Sequence, residues 1–104
     1  MIRVVVADDH PIVRSGIVGL LGSADDIEVV GEASDGAEAV ALATQLSPDV
    51  VLMDLRMPGL GGAEATALLV AARPEVRVLI LTTYESDENI LTAIEAGASG
   101  YLLK

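Results

Sequence analysis

A chain of 104 residues that is 52% hydrophobic and carries no Cys, Trp or Phe has the size of one domain with an aliphatic core, able to bury roughly 65% of its unfolded surface. Its formal charge of −10 argues against binding of a nucleic-acid backbone by this segment, which asks for clustered Lys and Arg, and the lack of cysteine removes disulfide, thiolate and zinc–cysteine chemistry. No run of ~20 apolar residues is present to span a membrane, and Met1-Ile2-Arg3 opens straight into a strand-like stretch rather than a signal peptide, so a cytoplasmic location without a membrane partner is expected.

The first strand runs over Ile2–Ala7 and ends on Asp8-Asp9-His10-Pro11. Pro11 suits the first turn of a helix, and Ile12, Val13, Ile17, Leu20 and Leu21 follow as one apolar stripe, closed by Gly22 and Ser23,. A short second strand spans 27–31. Ser34-Asp35-Gly36 then turns into a helix over 37–46, with Ala39, Val40, Ala43 and Leu46 aligned, and Pro48 breaks to the next strand,. Val50-Val51-Leu52-Met53 is a run buried on both faces that delivers Asp54 to its C-terminal end, and Pro58-Gly59 marks the turn beyond it,. A third helix covers 62–72, small on one face at Gly62, Ala65 and Thr66, and Pro74 ends it. Residues 76–81 form a fourth buried strand finishing on Thr82-Thr83. A helix over 87–96 puts Ile90, Ala93, Ile94 and Gly97 inside, and Tyr101-Leu102-Leu103-Lys104 begins a fifth strand.

Alternating strands and helices imply right-handed βαβ units, hence a parallel sheet with helices on both faces. Parallel strands end on one side, so Asp8, Asp9, Asp54, Thr82 and Lys104 can share a crevice there, the usual ligand position in open α/β sheets. Carboxylates ~4 Å apart repel by about 4 kcal/mol at an effective dielectric near 20 and so ask for a cation. An all-oxygen site suits Mg²⁺. Lys104, the one lysine of the chain, suits a phosphoryl oxygen, and Thr82 adds a hydroxyl donor. Flanked by metal and lysine, Asp54 reads as a carboxylate nucleophile that accepts a phosphoryl group.

The strings Ala7-Asp8-Asp9-His10-Pro11, Asp54-Leu55-Arg56-Met57-Pro58-Gly59, Leu81-Thr82-Thr83-Tyr84 and Ala96-Gly97-Ala98-Ser99-Gly100-Tyr101-Leu102-Leu103-Lys104 together resemble the receiver domain of bacterial two-component response regulators, NarL/FixJ (LuxR-type) subfamily, from Met1 to Lys104. The resemblance implies a flavodoxin-like (CheY-like) doubly wound sheet of order 2-1-3-4-5, and a domain truncated after the start of its fifth strand, without its C-terminal helix. It implies phosphorylation of Asp54 by a sensor histidine kinase, a phosphoacceptor switch rather than a turnover enzyme. Asp9, Asp54 and the backbone carbonyl of Arg56 would ligate Mg²⁺, Asp8 acting mainly through water, while Thr82 and Lys104 hold the phosphoryl group. Thr82 and Tyr101 would be the switch pair, and Arg56 and Tyr84 would tune dephosphorylation, Tyr84 by partly shielding the phosphoryl group. Implied partners are the kinase, a second copy on phosphorylation, and DNA only through a helix-turn-helix output domain in the parent protein.

Other readings stand beside these. Asp8-Asp9 alone could cap the helix at Pro11, Tyr101 could be plain core, and Lys104 a solvated charge; His10 reads as capping or shielding the loop rather than as a base. A haloacid-dehalogenase-type enzyme would want a second Asp two places after the nucleophile, where Arg56 stands. An FMN or nucleotide module would want more aromatics than two Tyr. A receiver that signals by contact alone would not need the acids. Gly31-Glu32-Ala33-Ser34-Asp35-Gly36 imitates a phosphate-binding loop, but Ala37 stands where Lys is required,.

Overall fold

The computed structural model describes residues 1–82 and 87–103, with the side chains of residues 82, 87–90 and 103 outside the description. In chain order the elements are β1 (Ile2–Ala7), α1 (Pro11–Gly22), β2 (Ile27–Ala33), α2 (Gly36–Leu46), β3 (Val50–Asp54), α3 (Gly62–Ala72), β4 (Arg77–Thr82), α4 (Asp87–Glu95) and β5 (Gly100–Leu103). The five strands are all parallel in the order β2-β1-β3-β4-β5. This is the doubly wound order expected above, and it follows from strands too apolar to leave either face in water.

Val5, Ala7, Val51, Met53, Val78 and Ile80 point to one face and are wholly buried. Ala39 and Ala43 of α2, Ala65 and Leu69 of α3 and Ala93 of α4 close over them, small side chains letting the helices approach the sheet,. Val4, Val6, Leu52 and Leu81 point the other way and pack with Ile17, Val18 and Leu21 of α1. Register fixes the functional edge: Ala7 pairs with Met53, Met53 with Ile80 and Asp54 with Leu81. Asp8, Asp54 and Thr82 therefore fall at one end of the sheet. Among the described residues no helix is long and apolar enough to cross a membrane.

Three local expectations change. The inward stripe of α1 is Ile17, Val18 and Leu21, whereas Ile12 and Leu20 are 88% and 74% exposed. That helix is apolar nearly all round, so two overlapping stripes were available, and in the observed rotation Arg14 bonds back to the Asp8 carbonyl just past β1,. β2 runs on to Ala33, two residues past the predicted end, because an edge strand tolerates Gly31 and Glu32; Ala33 pairs with Ala7 and is buried. The partner register steps from Val29 to Gly31 across Val4 and Val5, a bulge that the alternation did not signal,. In α4, Ala93 is buried while Ile94 is 39% exposed.

The end of α2 is held by arginines. Arg3 donates from Nη1 to the carbonyls of Leu46 (2.8 Å) and Ser47 (3.1 Å), and Arg73 donates to that of Thr44 (3.0 Å), placing cations where the helix dipole is negative,. At the other end, Asp35 accepts from Glu38 N–H (2.8 Å) as N-cap,. Gly36 follows, so close to the loop before α3 that an added Cβ would collide with the Leu60 carbonyl oxygen.

Two glycines thus predict opposite signs. Gly16→Ala in α1, where a Cβ meets nothing within 4 Å, stabilises the fold by about 0.5–1 kcal/mol through helix propensity. Gly36→Ala destabilises it by about 1–3 kcal/mol through overpacking against backbone. Urea denaturation of the two variants checks both signs.

Candidate functional site

Asp8 continues β1 by one residue. Its N–H donates to the Ala33 carbonyl (3.0 Å), so the ladder with β2 holds it, and its side chain is wholly buried. Its Oδ1 accepts from His10 N–H (2.9 Å), the two-residue Asx turn that short carboxylates favour, and its carbonyl accepts from Arg14 Nη1 (2.7 Å),. Arg14 Nε in turn donates to Glu32 Oε1 (3.2 Å) on β2. An arginine from α1 therefore ties the acid-bearing turn to the neighbouring strand.

Asp54 ends β3 and is 6% exposed; Arg56 N–H reaches back to its Oδ1 at 3.4 Å, while the Arg56 side chain lies at the surface. The following loop is pinned to the strand. Gly62 N–H donates to the Leu55 carbonyl (3.1 Å), and a Cβ on Gly62 would collide with the Asp54 carbonyl oxygen. Gly59 takes a positive φ of 71° in the same loop, a conformation that costs glycine least. A cleft of about 230 Å³ opens beside it, with Arg56, Glu64 and Thr92 on its walls.

One ligand atom from each of Asp8, Asp9, His10 and Asp54 lies within 4.8 Å of all the others. At that separation each carboxylate pair repels by about 3.5 kcal/mol at an effective dielectric of 20. Asp9 Oδ1 is buried and makes no hydrogen bond among the described residues, although His10 Nδ1 comes to 3.0 Å. A buried oxygen left in that condition, beside two further carboxylates, fits a small hard divalent cation.

The expected acids Asp8, Asp9 and Asp54 are brought together. Thr82 ends β4 one residue past Leu81, the partner of Asp54; its side chain lies outside the described residues, as do Tyr84 and Lys104. Tyr101 pairs with Ile80 and is 49% exposed. His10 occupies the N-cap position of α1 but makes no side-chain cap, so the capping role read from the sequence gives way to a place within the acidic cluster. Arg14 was not singled out. The available signal was that it is the one charged residue of α1, placed six positions after Asp8.

Residues 4–104 match the family model of the response regulator receiver domain. The chain is 50% identical over 104 residues to the transcriptional regulatory protein LiaR of Bacillus subtilis, covering all of this chain and 49% of that protein. It is 48% identical over 104 residues to the DNA-binding transcriptional activator DevR/DosR of Mycobacterium tuberculosis, covering all of this chain and 48% of that protein. The chain thus spans about half the length of the curated relatives it matches. Among solved structures, the signal receiver domain of the response regulator NarL from Mycobacterium tuberculosis superimposes with a TM-score of 0.94 at 42% identity, covering 98% of this chain and 82% of that one.

The crowding of carboxylates predicts a stability change. In metal-free buffer Asp9→Asn raises the thermal midpoint, by an amount equivalent to about 1 kcal/mol once solvent screening is allowed for. Added Mg²⁺ raises the wild-type midpoint more than that of the variant. Differential scanning calorimetry in EDTA and in Mg²⁺ measures both.

Proposed function

This chain belongs to the response regulator receiver domain family, and from that premise we propose that it is a phosphoacceptor switch in which Asp54 takes a phosphoryl group from a sensor histidine kinase. The observation that carries the reading is the carboxylate cluster at the C-terminal edge of the sheet, with Asp54 at the end of β3 and a buried, unbonded Asp9 oxygen beside it. Asp9, Asp54 and the Arg56 carbonyl would hold Mg²⁺, with Asp8 acting mainly through water. When bound, the cation supplies the positive charge that the phosphoryl oxygens and the converging carboxylates require.

In the transfer, a carboxylate oxygen of Asp54 forms a bond to phosphorus as the bond to the kinase histidine nitrogen breaks. The bonding pair stays on that nitrogen, and Asp54 becomes a mixed anhydride. Asp8, held by β2, His10 N–H and Arg14, keeps the acid turn in place during the reaction, so its geometry costs no reorganisation. Thr82 and Lys104 hold the phosphoryl oxygens in this reading. Thr82 and Tyr101 form the switch pair, and Arg56 and Tyr84 set how fast water reverses the modification. Half-exposure of Tyr101 is compatible with a ring that turns inward when the site is charged, a two-state change biased by a local charge.

Residues 1–104 form the receiver unit, and the output lies beyond it. The names of the relatives LiaR and DevR/DosR and the extent of the match support control of transcription through DNA binding outside this chain; a helix-turn-helix output domain, a cytoplasmic location and dimerisation of the phosphorylated form complete the proposal. The net charge of −10 supports assigning DNA contact to that other domain.

Intact-protein mass after incubation with acetyl phosphate tests the reading. Wild type gains one phosphoryl group in Mg²⁺ and none in EDTA, and Asp54→Ala gains none in either. A gain independent of Asp54 overturns the assignment, and no gain by wild type under any condition leaves a receiver that signals by contact alone.

A further inference from the structure

The imidazole of His10 is the one nitrogen donor within the cluster of Asp8, Asp9 and Asp54. It is not otherwise committed to the helix it begins, because the side chain makes no cap hydrogen bond. Its Nδ1 lies 3.0 Å from Asp9 Oδ1 and 3.6 Å from Asp8 Oδ1. Adjacent ligands on one metal ion with bonds of ~2.1 Å stand roughly 3.0 Å apart at octahedral angles and roughly 3.4 Å apart at tetrahedral ones. The 3.0 Å separation from Asp9 is that of two donors that share an ion, and the longer one from Asp8 suits a carboxylate that acts through water. The 3.0 Å approach to Asp9 is an ion-pair contact without hydrogen-bond geometry, so a cation can come between the two groups without a hydrogen bond being lost.

Donor chemistry then decides which ion gains. Mg²⁺ takes oxygen ligands and draws little from an imidazole, whereas Co²⁺, Ni²⁺ and Zn²⁺ bind imidazole well. The His10 side chain is 69% exposed, so the ring can coordinate from the solvent side while the buried acids stay as they are.

We infer that His10 is a fourth donor to this cation site, and that it makes the pocket favour imidazole-binding divalent transition ions of the Co²⁺, Ni²⁺ and Zn²⁺ class over Mg²⁺. The inference rests on the reading of the acid cluster as a divalent cation site. Such an ion would occupy the position that Mg²⁺ needs for phosphoryl transfer, so its availability would govern how far the domain can be phosphorylated.

The test is binding to the unphosphorylated protein. Co²⁺ is titrated by calorimetry and by its visible absorption, and Mg²⁺ by calorimetry, on wild type, His10→Ala and His10→Asn, with circular dichroism verifying the fold. Removing the imidazole should lower Co²⁺ affinity about tenfold or more and leave Mg²⁺ affinity within about twofold. The wild-type Co²⁺ spectrum should carry a nitrogen-donor shift that both variants lose. Unchanged Co²⁺ affinity and spectrum in the variants overturn the inference, and so does an equal loss of both ions, which would make His10 a mere support of the turn. If wild type binds neither ion, the cation-site reading itself fails, a result distinct from either of these.

Discussion

Like charges held close together are the constraint on which this molecule turns. Asp8, Asp9 and Asp54 present oxygens within 4.8 Å of one another, two of these residues almost wholly buried. No flexible loop would keep them there, because repulsion of several kcal/mol would spread them. The sheet supplies the rigidity. β1 and β3 are neighbours in register, Ala7 beside Met53, so Asp8 and Asp54 are fixed by the ladder rather than by their own interactions. Val5, Val51, Val78 and Ile80, none of them exposed, anchor that ladder from below.

Much of this was legible in the sequence. Period and punctuation gave strands and helices in the right order, and the parallel-sheet rule placed the ends of β1, β3 and β4 on one edge, so Asp8, Asp9 and Asp54 could be assembled without coordinates. What was not legible depended on choices among nearly equivalent alternatives. The face that α1 turns inward could not be read from a helix with apolar residues all round; the observed rotation packs Ile17, Val18 and Leu21 on the sheet and lets Arg14 bond to the Asp8 carbonyl. The extension of β2 through Glu32 and Ala33 was hidden because an edge strand is not obliged to be apolar,. His10 looked like a cap because caps are what polar residues before Pro most often are. Only geometry shows its Nδ1 turned to the acids.

The loop after Asp54 shows how the site is joined to the rest of the fold. Gly62 leaves no room for a side chain against the Asp54 carbonyl, and Gly36 leaves none against that of Leu60. Backbone from β3, α2 and α3 thus meets at van der Waals contact around one loop. Close-packed interfaces of this kind do not deform by small continuous amounts; they hold or they shift to another packing. A charge added at Asp54 would act on backbone that has no slack on this side.

Toward β5 the packing is looser. Tyr101 and Leu102 are about half exposed, and Leu91 and Ile94 on α4 are also exposed, whereas Val51 and Met53 on β3 are not exposed at all. Fewer buried contacts mean a lower cost of rearrangement, so in the proposed switch the β4–β5 side would express a change at the acid edge at modest energetic expense. The same asymmetry accounts for the division of labour along the sheet. β1 and β3, buried on both faces, fix the carboxylates against their own repulsion, and in the proposed switch the outer strand, with its aliphatic and aromatic surface only partly covered, would be the part that responds.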